Sequence, residues 1–167
     1  VAVSSNAWAL SGADRADITG LNNGAITVTA NVSDAHGNAA TAATRTITLD
    51  TVVPTITIDG TLEGDNLVNS SEEGTVVVSG TSAGLASGTT ISVKVSGTSG
   101  PDVTKDATTN LDGTWSVEMG TVDGLADGTL TITATGSDAA GNAAAQASKT
   151  VTYDDVAPVI AIDGTLE

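Results

Sequence analysis

Oxygen ligation is the chemistry this sequence offers. Of its 167 residues, 20 are Asp or Glu against 5 Lys or Arg, giving a formal net charge of −15, with one His and no Cys. The acids gather in short stretches. Asp50 stands alone before Pro54, Asp59, Glu63, Asp65 and Glu72 follow it closely, and Asp154 and Asp155 lie near the C-terminus. Two Asp-x-x-x-Asn pairs, Asp34 with Asn38 and Asp138 with Asn142, add amide carbonyls. Hard oxygen donors at this density suit Ca²⁺, which takes six to eight oxygens in flexible geometry. Mg²⁺ suits them less, because it holds its waters and demands an octahedron. Zinc is disfavoured: there is no thiolate, and the single histidine, His36, has Ala140 in its place in the second pair.

One stretch carries a partial calcium-loop spacing. With Glu72 as the terminal bidentate carboxylate, Glu63 falls at position 3, Asp65 at position 5, Leu67 at the backbone-carbonyl position and Val68 at the hydrophobic position 8. Thr61 replaces the first Asp, and Asn66 replaces the turn glycine. The same residues also read as an acidic turn capped by Asp65 or Asn66.

The elements that must hold these groups are repeated. Pro158 follows Pro54 by 104 positions, Asp163 follows Asp59 by the same offset, and residues 58–63 recur letter for letter at 162–167. The segment from Ile26 to Ala40 matches that from Leu130 to Ala144 at this offset too. Residues 1–50 are therefore expected to hold the later half of one unit, 51–155 a complete unit, and 156–167 the first strand of another. Both ends read as cuts in a longer repeat array.

Within 51–155 the pattern is that of strands. Phe is absent, Trp and Tyr total three, and Val, Ile and Thr abound, as suits a pleated surface. No window keeps a helical period. Strands are predicted at Pro54–Asp59, Thr75–Gly80, Thr89–Ser96, Asp102–Thr109, around Trp115–Met119, around Leu130–Ala134 and at Ala145–Tyr153. Ile91, Val93 and Val95 should face inward, as should Trp115, Val117 and Met119, and Leu130, Ile132 and Ala134. The run Val76-Val77-Val78 suggests burial on both faces, and Lys105 marks an edge strand. Trp115, and Trp8 in the first unit, read as core plugs. Seven short strands in about 104 residues have the rhythm of an all-β immunoglobulin-like sandwich.

That strand order sorts the acids by pole. Glu63, Asp65 and Glu72 in the first loop, Asp123 and Asp127 in a later loop, and Asp154 with Asp155 are expected at the C-terminal pole. Asp112, Asp138, Asn142 and the incoming Asp50 are expected at the N-terminal pole.

Composition also excludes partners. Phosphate binding needs clustered Lys and Arg, so nucleic acid is not expected. No apolar run approaches the roughly 20 residues that span a bilayer, so membrane insertion is not expected. Catalytic triads need a supported His and glycosidase dyads need carboxylates converging in a cleft; neither pattern is present, so no enzyme is expected.

The motif Ser-Asp-Ala-x-Gly-Asn at 33–38 and 137–142, the Asp-x-x-x-Pro linker, and Ile-Thr-Ile-Asp followed by Asp-Asn-Leu-Val-Asn-Ser-Ser-Glu carry a resemblance. Together they resemble the tandem bacterial immunoglobulin-like repeats in the extender regions of giant repeats-in-toxin adhesins exported by type I secretion. The resemblance implies a calcium-stiffened spacer on the bacterial cell surface. Its partners are neighbouring repeats of the same chain, and other domains bind the adhesive target in cell adhesion or biofilm formation. It further implies Ca²⁺ ligation by Asp50, Asp138 and Asn142 at one junction, by Asp154, Asp155, Asp65 and Glu72 at the next, and by Asp34 and Asn38 at an earlier one. Thr51, where the following linker has Asp155, departs from that pattern. The competing reading is an immunoglobulin-like module that binds carbohydrate or protein.

Overall fold

The computed structural model describes residues 3–4, 7–8, 16–162 and 164. Among them there is no helix, and the chain divides into two compact units, Val1–Thr51 and Val52–Glu167.

In the first unit, β1 (Val3–Ser4) pairs with β2 (Ala7–Trp8), and β3 (Gly24–Ala30) pairs antiparallel with β4 (Ala43–Leu49). The side chain of Trp8, expected in a core, lies outside the described residues. The β3–β4 hairpin matches β11–β12 of the second unit at the 104-residue offset, but its inward positions are open. Val28 and Ile47 are 43% and 40% exposed, while their counterparts Ile132 and Val151 are 0% and 4% exposed. A shallow groove runs over Val28, Ala30, Ala43, Thr44 and Arg45.

The second unit is a two-layer sandwich. One sheet orders β10 (Thr114–Gly120), β7 (Val76–Ala83) and β5 (Thr55–Ile58). The other orders β6 (Leu67–Asn69), β12 (Ala147–Asp154), β11 (Gly128–Thr135), β8 (Thr90–Ser96) and β9 (Val103–Thr108). All pairings are antiparallel except β6 with β12. This is the immunoglobulin-like arrangement. Of the expected inward residues, Ile91, Val93, Val95, Trp115, Met119, Leu130, Ile132 and Ala134 are all at most 1% exposed, while Val117 is half-buried against the core. Strand β9, with Lys105, is indeed an edge.

Two expectations change. The first predicted strand is found as β5, but the acidic loop after it holds a strand of its own: β5 joins one sheet, residues 59–66 cross over, and β6 joins the other. Leu62 from this crossing and Val68 from β6 plug the core, at 3% and 1% exposure. Residues 67–69 are thus strand, and the segment does not fold as one calcium loop. Asn66 does take the left-handed conformation of the glycine it replaces, with φ 66°. Second, the Val76–Val78 run is not buried on both faces. Val76 and Val78 point inward at 2% and 0% exposure, but Val77 is 44% exposed. Ordinary strand alternation overrides the apolar run, because the outer face of this sheet is uncovered.

Candidate functional site

The strand directions place the turn 70–75, the loop 97–102, the loop 121–127 and the end of β12 at one pole of the sandwich. The pole is tied together by backbone bonds, Val122 N–H to Glu73 O at 2.9 Å and Ala126 N–H to Ser99 O at 3.2 Å. Tyr153 brings the chemistry here. It is 1% exposed, at the inward-facing end of β12, and a buried phenol needs a partner. Its hydroxyl lies 2.5 Å from Glu73 Oε2 and 3.1 Å from Asp155 Oδ2. Asp127 Oδ1 accepts the Asp155 N–H at 3.2 Å. Burial first, then the two carboxylates, push the Tyr153 hydroxyl well above the usual tyrosine range, so it stays protonated.

One phenol carries one proton, so only one of the two carboxylates can receive it. The other faces an oxygen lone pair. Among the described residues the one ion pair is Lys94–Asp102 at 3.0 Å, which leaves Glu73, Asp127 and Asp155 without a cationic partner.

The expected ligands of the first loop do not converge with this set. Each accepts from a different donor. Asp59 Oδ2 accepts from Ser79 Oγ at 2.5 Å, Glu63 Oε1 from Val77 N–H at 2.7 Å, Asp65 Oδ1 from Leu67 N–H at 2.9 Å and Glu72 Oε2 from Asn69 N–H at 3.2 Å. Asp154 Oδ1 accepts from Val156 N–H at 3.1 Å, which turns the chain out of β12. Of the ligands expected at this pole, Asp155 alone enters the Tyr153 set. Asp127 was placed at the pole by strand order but not as a ligand, and Glu73 was missed. The signal for Glu73 was indirect: Tyr153 ends an inward-facing strand just before two aspartates, and its hydroxyl requires an acceptor.

The two Asp-x-x-x-Asn pairs have a structural role that each unit shows separately. In the second unit, Asp138 Oδ1 accepts N–H groups from Ala140 at 2.9 Å and Asn142 at 2.8 Å, and Oδ2 accepts Asn142 Nδ2–H at 2.8 Å. In the first, Asp34 does the same with His36, Asn38 and the Asn38 amide, at 2.9, 2.9 and 2.8 Å. Each carboxylate closes its loop from within, flanked by the bridges Ser33–Ala39 and Ser137–Ala143. The Asn side-chain bond, chiefly, holds both aspartates below the usual carboxylate range. A depressed folded-state pKa means stability that is present above the unfolded-chain value and lost as pH falls through the folded value. Acidification through and below the ordinary aspartate range should therefore release the 137–142 loop, and Asp138→Asn should remove that pH response. Amide exchange at Ala140 and Asn142 reads it; protection in Asp138→Asn that still tracks this pH window refutes the assignment. Asp50 belongs to the first unit, whereas Asp138 and Asn142 belong to the second.

Among the described residues, no three His, Cys, Asp or Glu side chains are grouped so that they could hold a metal ion. By donor type alone, Glu73, Asp127 and Asp155 offer the oxygens a hard cation takes. All are carboxylates, and two of them compete for one proton.

A two-layer immunoglobulin-like sandwich with an acidic pole is the class of protein these features define. Residues 54–155 match the bacterial Ig-like domain family, and the chain belongs to that family. Three solved structures are similar to it. A tetra-tandem repeat in the extending region of a large adhesion protein is 31% identical, covers 86% of this chain and 36% of its own, and superposes with a TM-score of 0.56. A Ca²⁺-stabilized adhesin that helps an Antarctic bacterium reach out and bind ice is 34% identical, with 81% and 33% covered and a TM-score of 0.48. A bacterial immunoglobulin-like domain from the M. primoryensis ice-binding adhesin is 34% identical, with 61% and 98% covered and a TM-score of 0.42. The chain thus spans about a third of the length of the first two structures. No curated protein matches it significantly. No helix among the described residues is long and apolar enough to cross a membrane.

Proposed function

We propose that this chain is a non-enzymatic spacer, a run of repeats in the extender of a long bacterial surface adhesin, stiffened by Ca²⁺ where one repeat passes to the next. The observation that carries it is the carboxylate set Glu73, Asp127 and Asp155 at the end of β12. It sits where the chain leaves the complete repeat toward Pro158. The fold is that of repeats from an adhesion protein's extending region, which supports the spacer role. Bound Ca²⁺ would offset the repulsion among these carboxylates, with Asp154 and Glu72 on the same pole as further oxygen donors. By fixing Asp155 it would hold the first residues of the linker to the sandwich, and the linker could no longer swing.

A carbohydrate-binding module is not favoured. Such sites stack sugars on exposed aromatic faces, and Trp115 and Tyr153 are each 1% exposed. The test uses two copies of residues 52–155 joined in tandem, followed by small-angle scattering with Ca²⁺ and with chelator. Chelation should broaden the range of interdomain distances. A scattering profile indifferent to Ca²⁺ would sink the proposal.

A further inference from the structure

The linker-side latch of the second unit has a neutral counterpart in the first. At the 104-residue offset, Asp127 corresponds to Asn23, Asp155 to Thr51 and Tyr153 to Leu49. Asn23 Oδ1 accepts both the Thr51 N–H at 3.1 Å and the Thr51 hydroxyl at 2.9 Å. The geometry of the latch is kept while its charge is gone.

Asn23 is also the one asparagine in the sequence followed by glycine. It is exposed, Gly24 has φ +126°, and nothing lies within 4 Å of where a Cβ on Gly24 would stand. No side chain at position 24 opposes approach of the glycine nitrogen to the Asn23 amide carbon. The two Thr51 donors polarise the Asn23 carbonyl and stabilise negative charge on Oδ1 as an attacking nitrogen adds, in the manner of an oxyanion hole.

We infer that Asn23 is a site of spontaneous deamidation, primed by Thr51, and that the reaction writes into this latch the carboxylate that Asp127 supplies in the next. Hydroxide removes the Gly24 amide proton, and the nitrogen attacks Asn23 Cγ to close a five-membered imide. The amide nitrogen leaves as ammonia, taking a proton from water. Hydrolysis of the imide by one water gives aspartate or isoaspartate. The net change is one water consumed, one ammonia released and one negative charge gained. No oxidant or metal takes part, so the assignment stands apart from the calcium reading.

The test ages the full chain in mildly alkaline buffer and maps the tryptic peptide 16–45 by fragment-ion mass spectrometry. Asn23 should gain about one dalton at least about tenfold faster than Asn22, Asn31 or Asn38, which precede residues with a Cβ. In Thr51→Val, which keeps the backbone donor and loses the hydroxyl, conversion should slow about threefold. Aged protein should co-elute on anion exchange with the Asn23→Asp variant. Conversion at Asn23 no faster than at the other three asparagines, or Thr51→Val ageing as fast as the parent, overturns the inference.

Discussion

Gly80→Ala will unfold the complete repeat under conditions where the parent is fully folded. Gly80 lies in β7 between Ile58 of β5 and Trp115 of β10. A Cβ there would stand 1.9 Å from Thr57 O and 2.6 Å from Trp115 Cζ2. Neither neighbour can yield cheaply. Thr57 O is backbone in a paired strand, and Trp115 is a fully buried core side chain. The substitution must push β5 off the sheet or expel the indole, and overpacking of this kind costs about 3 kcal/mol or more. For a domain of this size that is a fall in Tm of at least about 12 °C, readable by circular dichroism. Gly74→Ala is the control, since nothing lies within 4 Å of its Cβ position and its φ is not left-handed. It should stay within about 0.5 kcal/mol of the parent. Equal melting of Gly80→Ala and Gly74→Ala would show that Trp115 does not pack where it is described.

Calcium should raise the melting temperature of the complete repeat, and the rise should depend on Glu73 and Asp155. At a hundredfold excess over its Kd, a ligand that binds only the folded state adds about 2.7 kcal/mol, or about 10 °C or more for such a domain. Glu73→Gln with Asp155→Asn removes two charges and leaves oxygen acceptors near Tyr153. That pair should lose most of the Ca²⁺-dependent rise while melting near the parent in chelator. Asp138→Asn, at the opposite pole, should retain the rise. A parent whose melt ignores Ca²⁺ defeats the prediction outright. A rise that survives in the double variant moves the ion elsewhere.

The sandwich was legible because its strands obey a two-residue period over a one-sided core. Ile91, Val93 and Val95 alternate with Ser92 and Lys94, and no other conformation buries that set together. Trp115 was legible for the same reason, with Met119 two pleats along. Strand β6 was not. Residues 59–66 are rich in acids and glycine and read as a loop, and nothing local shows that Leu62 reaches the core from it or that Val68 does so from a strand just after it. Side-chain direction was the other gap. Glu72 and Glu73 are neighbours of the same type, and spacing alone favoured Glu72. The turn spends Glu72 on the Asn69 N–H and aims Glu73 at Tyr153, a contact across 80 positions of chain. The Asp-x-x-x-Asn pairs have a loop-closing role that residue type alone did not show: each aspartate accepts hydrogen bonds from within its own loop.

The crossover from β5 to β6 has a mechanical consequence. Strand β5 enters at one pole and β12 leaves at the other, and β6 runs parallel to β12 through Leu67–Thr152, Val68–Tyr153 and Asn69–Asp154. Tension along the chain pulls β6 back toward the entry pole and β12 toward the exit. The bonds joining them are therefore loaded in shear, all at once, whereas an antiparallel hairpin pulled from its open end unzips one bond at a time. A repeat wired this way resists being drawn out along its own length at the point where its two termini overlap.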